Sequence, residues 1–118
     1  LQNYFNSVVL IGDKKDDRFT SDFKKEYQGS FTNLSGKQDL LTTAAVLKNA
    51  DLFIGNDSGL GHIASAVKIK TFTIFGPGDP LRYRPWGVLA YYLQDKERNI
   101  YNIKPKVVFN EIVNRFEY

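Results

Sequence analysis

Between Gly55 and His62 the chain reads GNDSGLGH: three glycines, a carboxylate, a hydroxyl and the only histidine of the sequence. The apolar run Leu52-Phe53-Ile54 precedes it and the small, apolar run Ile63-Ala64-Ser65-Ala66-Val67 follows. That order predicts a strand, a tight corner and the start of a helix. A helix start exposes unpaired backbone N–H groups and the positive end of the helix dipole, which together suit a phosphate. Gly59 and Gly61 would let a ligand approach that backbone, Ser58 can donate a hydrogen bond, and His62 falls in the first turn. The dipole disfavours an imidazolium there whereas a bound pyrophosphate favours it, so ligand and proton are expected to bind together. Asp57 suits another task, an N-cap carboxylate that accepts from the free N–H groups and fixes the turn. A blander reading stays open beside this one. A capped helix could use Gly59, Gly61, Ala64 and Ser65 only to pack closely on a sheet.

Other chemistries fit the corner less well. GLGHIA matches the Gly-x-Gly-x-x-Ala form of the dinucleotide fingerprint, and Asp79 stands about 20 residues on. The first glycine of that fingerprint should leave the strand directly, whereas Gly59 comes after GNDS. No Gly-Lys-Ser/Thr ends the stretch, so the phosphate loop of NTPases is excluded. Asp57, Ser58 and His62 lack a nucleophile elbow and crowd into six residues, which argues against a hydrolase triad. One histidine and no cysteine supply no metal set, so no metal is expected.

The elements that would position this corner alternate along the chain. Ser7 to Asp13 is an apolar run closed by Gly-Asp, expected to be a central strand covered on both faces. Phe19, Phe23 and Tyr27 recur at helical spacing. A short strand is expected near Phe31 to Leu34. Ser35 and Gln38 form a capping-box pattern ahead of a helix whose buried side would be Leu40, Leu41, Ala44, Ala45 and Leu47. Thr71 to Gly76 reads as a further buried strand, Gly76 to Gly87 as a Pro- and Gly-dense loop, and Val88 to Leu93 as a last strand. Pro105 opens a closing helix with Val108, Ile112 and Phe116 on one face. Such alternation predicts an α/β fold, a Rossmann-like open parallel sheet with helices on both faces. Ligands on such sheets bind beyond the carboxyl ends of the strands, so the corners IGD, IGND and FGPGD should line one rim.

With 118 residues, 42% of them hydrophobic, the chain has the size and core material of one domain spanning 1–118. No apolar run is long enough for a membrane span, and the absence of cysteine fits a cytoplasmic protein. The net charge of +3 is mild and its basic residues lack aromatic interleaving, so no nucleic-acid partner is expected. The opening LQNYFNSVVLIGD reads as the tail of a helix entering a strand, the mark of a truncated domain from a longer protein. A sheet edge left open there would favour homodimer formation.

The run from Asn33 to Pro80 resembles glycosyltransferase family 9, the lipopolysaccharide heptosyltransferases. The landmarks are Asn33-Leu34-Ser35-Gly36-Lys37, then Gly55-Asn56-Asp57-Ser58-Gly59 with His62, then Phe75-Gly76-Pro77 with Asp79-Pro80. Leu60-Gly61 replaces the family's frequent Pro-Met, and Ile69-Lys70-Thr71 replaces its Gly-Thr-Pro, differences that bear on the sugar more than on the fold.

The resemblance implies the C-terminal, donor-binding domain of a two-domain GT-B enzyme. Asn56, Asp57, Ser58, Gly59, Gly61 and His62 would bind the diphosphate of a nucleotide-sugar such as ADP-heptose, with His62 as its stabiliser. Gly76, Asp79 and Arg82 would shape the rim. It further implies direct displacement with inversion, no cofactor, and a lipopolysaccharide core acceptor held by another domain that carries the catalytic base. Such an enzyme would work in the cytoplasm, peripherally at the inner membrane, and the fragment alone would be inactive. Two alternatives remain: a non-catalytic nucleotide-binding or interaction domain derived from such an enzyme, or an enzyme using a UDP- or GDP-sugar.

Overall fold

The computed structural model describes residues 4–15, 19–36 and 38–117; the landmark Lys37 and the first three residues lie outside them. The chain divides into two compact units, Leu1–Thr43 and Ala44–Tyr118.

The first unit holds β1 (Val9–Leu10), α1 (Thr20–Glu26) and β2 (Thr32–Asn33). The two strands pair in parallel, Val9 opposite Thr32 and Leu10 opposite Asn33. Beside them Phe23 stacks on Tyr27 at 5.0 Å, and Phe31 meets both rings edge-on at 5.0 and 6.2 Å. Phe19, the first residue of the expected stripe, is exposed. The strand expected over Ser7 to Asp13 is shorter, and Val9 is exposed rather than covered. Among the described residues only β2 pairs with it, so nothing extends the ladder. Residues 4–7 form no helix.

The helix α2 (Leu40–Lys48) runs across the boundary between the units. Its expected capping box does not form. Ser35 is buried in the preceding turn, where its N–H donates to Asn33 Oδ1 at 3.0 Å. Asp39 caps the helix instead, accepting from the Thr42 N–H at 2.7 Å. A carboxylate directly before the helix is the stronger acceptor, and it shifts the helix start four residues beyond Ser35. The buried side is consequently Thr43 and Leu47, while Leu40 and Leu41 are exposed. Thr43 tolerates burial because its hydroxyl donates to the Asp39 carbonyl.

The second unit holds β3 (Leu52–Asn56), α3 (Gly59–Ala66), β4 (Lys70–Phe75), α4 (Pro80–Tyr83), β5 (Ala90–Gln94), a 3-10 turn at Ile100–Asn102 and α5 (Pro105–Phe116). Its three strands are parallel in the order β3-β4-β5. β4 lies in the middle, with Thr71, Phe72, Thr73 and Phe75 all buried, which accounts for its unbroken apolar run. On one face α3 packs through Gly61, where a Cβ would stand 3.2 Å from Pro85 Cγ, 3.6 Å from Thr73 Oγ1 and 3.7 Å from Phe53 Cε1. On the other, Phe116 of α5 meets Tyr91 edge-on at 5.2 Å, with Lys70 Nζ 5.7 Å from the Phe116 ring. The expected stripe of α5 holds, with Ile112 and Phe116 buried and Pro105 at its first position. Fully burying a side chain such as Phe72, Phe75 or Ile112 contributes about 1.5–3 kcal/mol to the unit's stability. The chain is therefore α/β, with parallel strands and helices on both faces of the three-stranded sheet.

Two measurements check these contacts. Thr73 Oγ1 is buried without a hydrogen-bond partner, a defect that costs about 1–3 kcal/mol. Thr73→Val keeps the β-branched shape and removes the orphan, so denaturant unfolding should show stability unchanged or raised by roughly 1 kcal/mol. The Thr42 N–H and hydroxyl hold the Asp39 carboxyl below its usual value of 3.8. A lowered folded-state pKa stabilises above the unfolded value and is lost as pH falls through the folded one. Asp39→Ala should therefore lower the thermal midpoint at neutral pH, and its deficit should close as the medium is acidified below pH 3.8.

Candidate functional site

The corner after β3 begins with a register constraint. Parallel pairing sets Asn56 opposite Ile74, so the end of β3 lies beside the end of β4. The chain then turns into α3 through Ser58, the N-cap, in extended conformation (φ −154°, ψ 167°). The Ser58 side chain makes no capping hydrogen bond, and the first turn of α3 contains no acid.

Asp57 does not cap α3, contrary to the expectation. It stands one residue before the N-cap, and its carboxylate lies against the loop that leaves β4. A Cβ on Gly78 would be 2.6 Å from Asp57 Oδ2. Gly78 has no left-handed φ, so what a side chain there would meet is the movable end of Asp57 rather than a backbone constraint. The N–H groups at the start of α3 are thus left without a side-chain cap, in a position suited to an anionic ligand.

The two glycines of the corner differ. Nothing stands within 4 Å of where a Gly59 Cβ would be, so this position is open. Gly61 faces the sheet, and its lack of a side chain lets α3 approach Thr73 and Pro85. Its packing role is the one foreseen by the blander reading. His62 is exposed one turn beyond Gly59, on the same side of the helix. Asn56, Asp57 and Ser58 are likewise exposed.

The neighbouring corner, Gly76-Pro77-Gly78-Asp79, is tied down from two sides. Asp79 accepts from the Leu81 N–H at 3.1 Å and caps α4, with Pro80 as first helical residue. Gln94, the last residue of β5, donates through Nε2 to the carbonyls of Gly76 at 2.8 Å and Gly78 at 2.7 Å. Ile100 lies beside Gly76, 3.9 Å from where its Cβ would be. The turn that carries Ile100 is organised by Asp95, which accepts from Asn102 Nδ2 at 2.9 Å and from the N–H groups of Glu97 and Asn99. The Asn102 amide, helped by these N–H groups, holds the Asp95 carboxyl below its usual value. Arg82 is exposed on α4, its guanidinium 5.8 Å from the Tyr83 ring.

Two of the three strand-end corners thus sit side by side at the ends of β3 and β4; the third, Ile11 to Asp13, belongs to the other unit. The pair offers N–H donors and an imidazole for an anion, and an acceptor-only carboxylate for hydroxyl donors. Sequence reasoning missed Gln94 and Gly78. Gln94 carried a signal, since it is the polar residue closing a strand, the position from which the other corners were found.

The sequence model of glycosyltransferase family 9 (heptosyltransferase) matches residues 1–112. Lipopolysaccharide heptosyltransferase 3 of Escherichia coli K12 is 46% identical over 55 residues, 47% of this chain and 16% of that protein. Lipooligosaccharide heptosyltransferase 2 of Haemophilus influenzae is 32% identical over 83 residues, 67% of this chain and 24% of that protein. The chain therefore spans a quarter or less of these relatives. Among solved structures, the E. coli ADP-heptose lipopolysaccharide heptosyltransferase II superposes with a TM-score of 0.84 at 23% identity, over 96% of this chain and 37% of that one. The family 9 glycosyl transferase from Veillonella parvula gives 0.85 at 19% identity, over 97% and 39%. At these identities the two structures establish the fold.

Gly78→Ala tests the contact between the corners. The new methyl meets the end of a mobile side chain, so the variant should fold with a near-native thermal midpoint while the Asp57 carboxyl resonance shifts in NMR spectra. An unchanged Asp57 signal would show that the carboxylate does not rest on the loop.

Proposed function

The chain belongs to glycosyltransferase family 9, and on that footing we propose that it supplies the nucleotide-sugar site of a heptosyltransferase. One observation carries the reading. The start of α3 has no side-chain cap, an open Gly59 and an exposed His62 one turn on, while the nearest acid, Asp57, is turned to the β4 loop.

In this reading the diphosphate of an ADP-heptose rests on the N–H groups of the first turn, with Ser58 and His62 donating to its oxygens. Such fixed donors act most strongly on charge that grows as a reaction proceeds. As the bond from the anomeric carbon to the diphosphate breaks, ADP leaves with an added negative charge, which α3 and His62 stabilise. The new bond forms to a hydroxyl of the lipopolysaccharide core, on the opposite face of the sugar. Asp57 would repel a phosphate and instead accepts from hydroxyls of the sugar. The base and the acceptor contacts belong to a part of the enzyme outside this chain. The similar lipopolysaccharide and lipooligosaccharide heptosyltransferases support the heptose and the acceptor, and the likeness to the E. coli ADP-heptose lipopolysaccharide heptosyltransferase II supports ADP. Among the described residues no helix is long and apolar enough to cross a membrane.

Calorimetric titration with ADP, ADP-heptose and UDP- and GDP-sugars tests the reading. ADP-heptose should bind best, His62→Ala should weaken it about tenfold, and Asp57→Asn should weaken ADP-heptose by a similar factor while sparing ADP. A preference for a UDP- or GDP-sugar would change the donor and keep the site. Absence of binding by all of them would favour a domain that has lost nucleotide recognition.

A further inference from the structure

We propose that Gln94 is a positioning residue for the nucleotide-sugar site, acting through the Gly76–Asp79 loop on Asp57. The inference rests on the reading of that site given above. Gln94 ends β5, two strands away from β3, and is half-buried. Its side-chain nitrogen faces two carbonyls at once, Gly76 O at 2.8 Å and Gly78 O at 2.7 Å. A primary amide has two N–H bonds on one nitrogen, and both are used here; the amide oxygen could satisfy neither carbonyl. The orientation of the group is fixed by its surroundings.

What it holds is the loop Gly76-Pro77-Gly78-Asp79, in which two glycines flank one proline. Two of its first three residues are glycines with wide backbone freedom, and the β4 strand has ended at Phe75. Neither Gly76 nor Gly78 takes a left-handed φ, and Pro77 between them fixes one torsion of the path. Asp79 anchors the far end by capping α4, and Gln94 anchors the near end and the middle. Gly78 is the residue that backs the Asp57 carboxylate. Asp57 has no hydrogen bond or ion pair among the described residues, so this steric backing is what sets the direction of its side chain. Released from Gln94, the loop withdraws and Asp57 swings through its free rotamers. The chain of contacts runs from Gln94 to Gly78 to Asp57, and only the last touches the ligand.

A positioning role and a purely structural clamp differ in how they couple to Asp57, which a double-mutant cycle measures. ADP-heptose and ADP are titrated calorimetrically into the wild-type chain, Gln94→Leu, Gln94→Glu, Asp57→Asn and the Gln94→Leu/Asp57→Asn double variant. Thermal midpoints are recorded for each. Leucine keeps the bulk of the side chain without the donors, and glutamate sets carboxylate oxygens against the two carbonyls. Both single Gln94 variants should weaken ADP-heptose about tenfold, spare ADP and remain folded. In the Asp57→Asn background the same Gln94→Leu change should cost less than about twofold. Additive losses would overturn the proposal, as would Gln94 variants that are folded and bind ADP-heptose normally. Unfolding of both variants would overturn it in favour of a structural clamp. If His62→Ala and Asp57→Asn weaken binding while the Gln94 losses add, only the role of Gln94 fails. If neither wild type nor variants bind any nucleotide, the site reading fails and takes this inference with it.

Discussion

The parallel pairing of β3 with β4 is the constraint on which the site depends. Because the strands run the same way, both leave the sheet at one edge, and the register sets Asn56 beside Ile74. Two chain exits then have to share a small space. Asp57 at one exit and Gly78 at the other meet so closely that a side chain on the second would collide with the first. An antiparallel partner would have put a hairpin or a distant end there, and no such encounter would arise. The direction of a carboxylate, the openness of a helix start and the path of a glycine-rich loop all follow from that shared edge.

The same face of the sheet imposes a second demand. α3 must come close enough to cover Phe53, Thr71 and Thr73, and Gly61 is what allows it. The cost is an unsatisfied Thr73 hydroxyl under the helix. Helix α5 covers the opposite face, with Ile112 and Phe116 buried and Phe116 edge-on to Tyr91. The candidate site thus rests on a helix held from beneath by close packing, while Gly59 is open and His62 exposed on its outer side. Rigid support behind an open first turn is the arrangement that fixed electrostatic stabilisation needs.

Much of this was legible in the amino-acid order. The buried run at Thr71 to Phe75, the strand-to-helix corner at GNDSGLGH and the stripe of α5 follow from period and punctuation, and they appear where that reasoning puts them. Two of the errors share one physical origin. At Ser35-x-x-Gln38 the pattern named a capping box, but Asp39 is one residue before the helix and is the stronger acceptor. At Asp57 the residue type named a cap, but the position is one residue too early and the neighbouring loop is nearer. Local patterns name residues able to cap. Which one does so depends on a one-residue choice of helix start, made by packing further along the chain.

The sequence by itself determined the residue chemistry and the alternation of elements: a helix start rich in glycine, one histidine within its first turn, and a parallel α/β arrangement. Those properties depend on neighbours a few positions apart, which a linear string records. Tertiary structure decided which groups meet. Gln94 lies 16 residues from Gly78 in the chain and within hydrogen-bond distance of it in space. Asp57 and Gly78 meet only because two strands end at one edge, and Gly61 is distinguished from Gly59 only by the face each turns to the sheet. Contacts of this kind depend on register and packing, which the residue types alone do not specify.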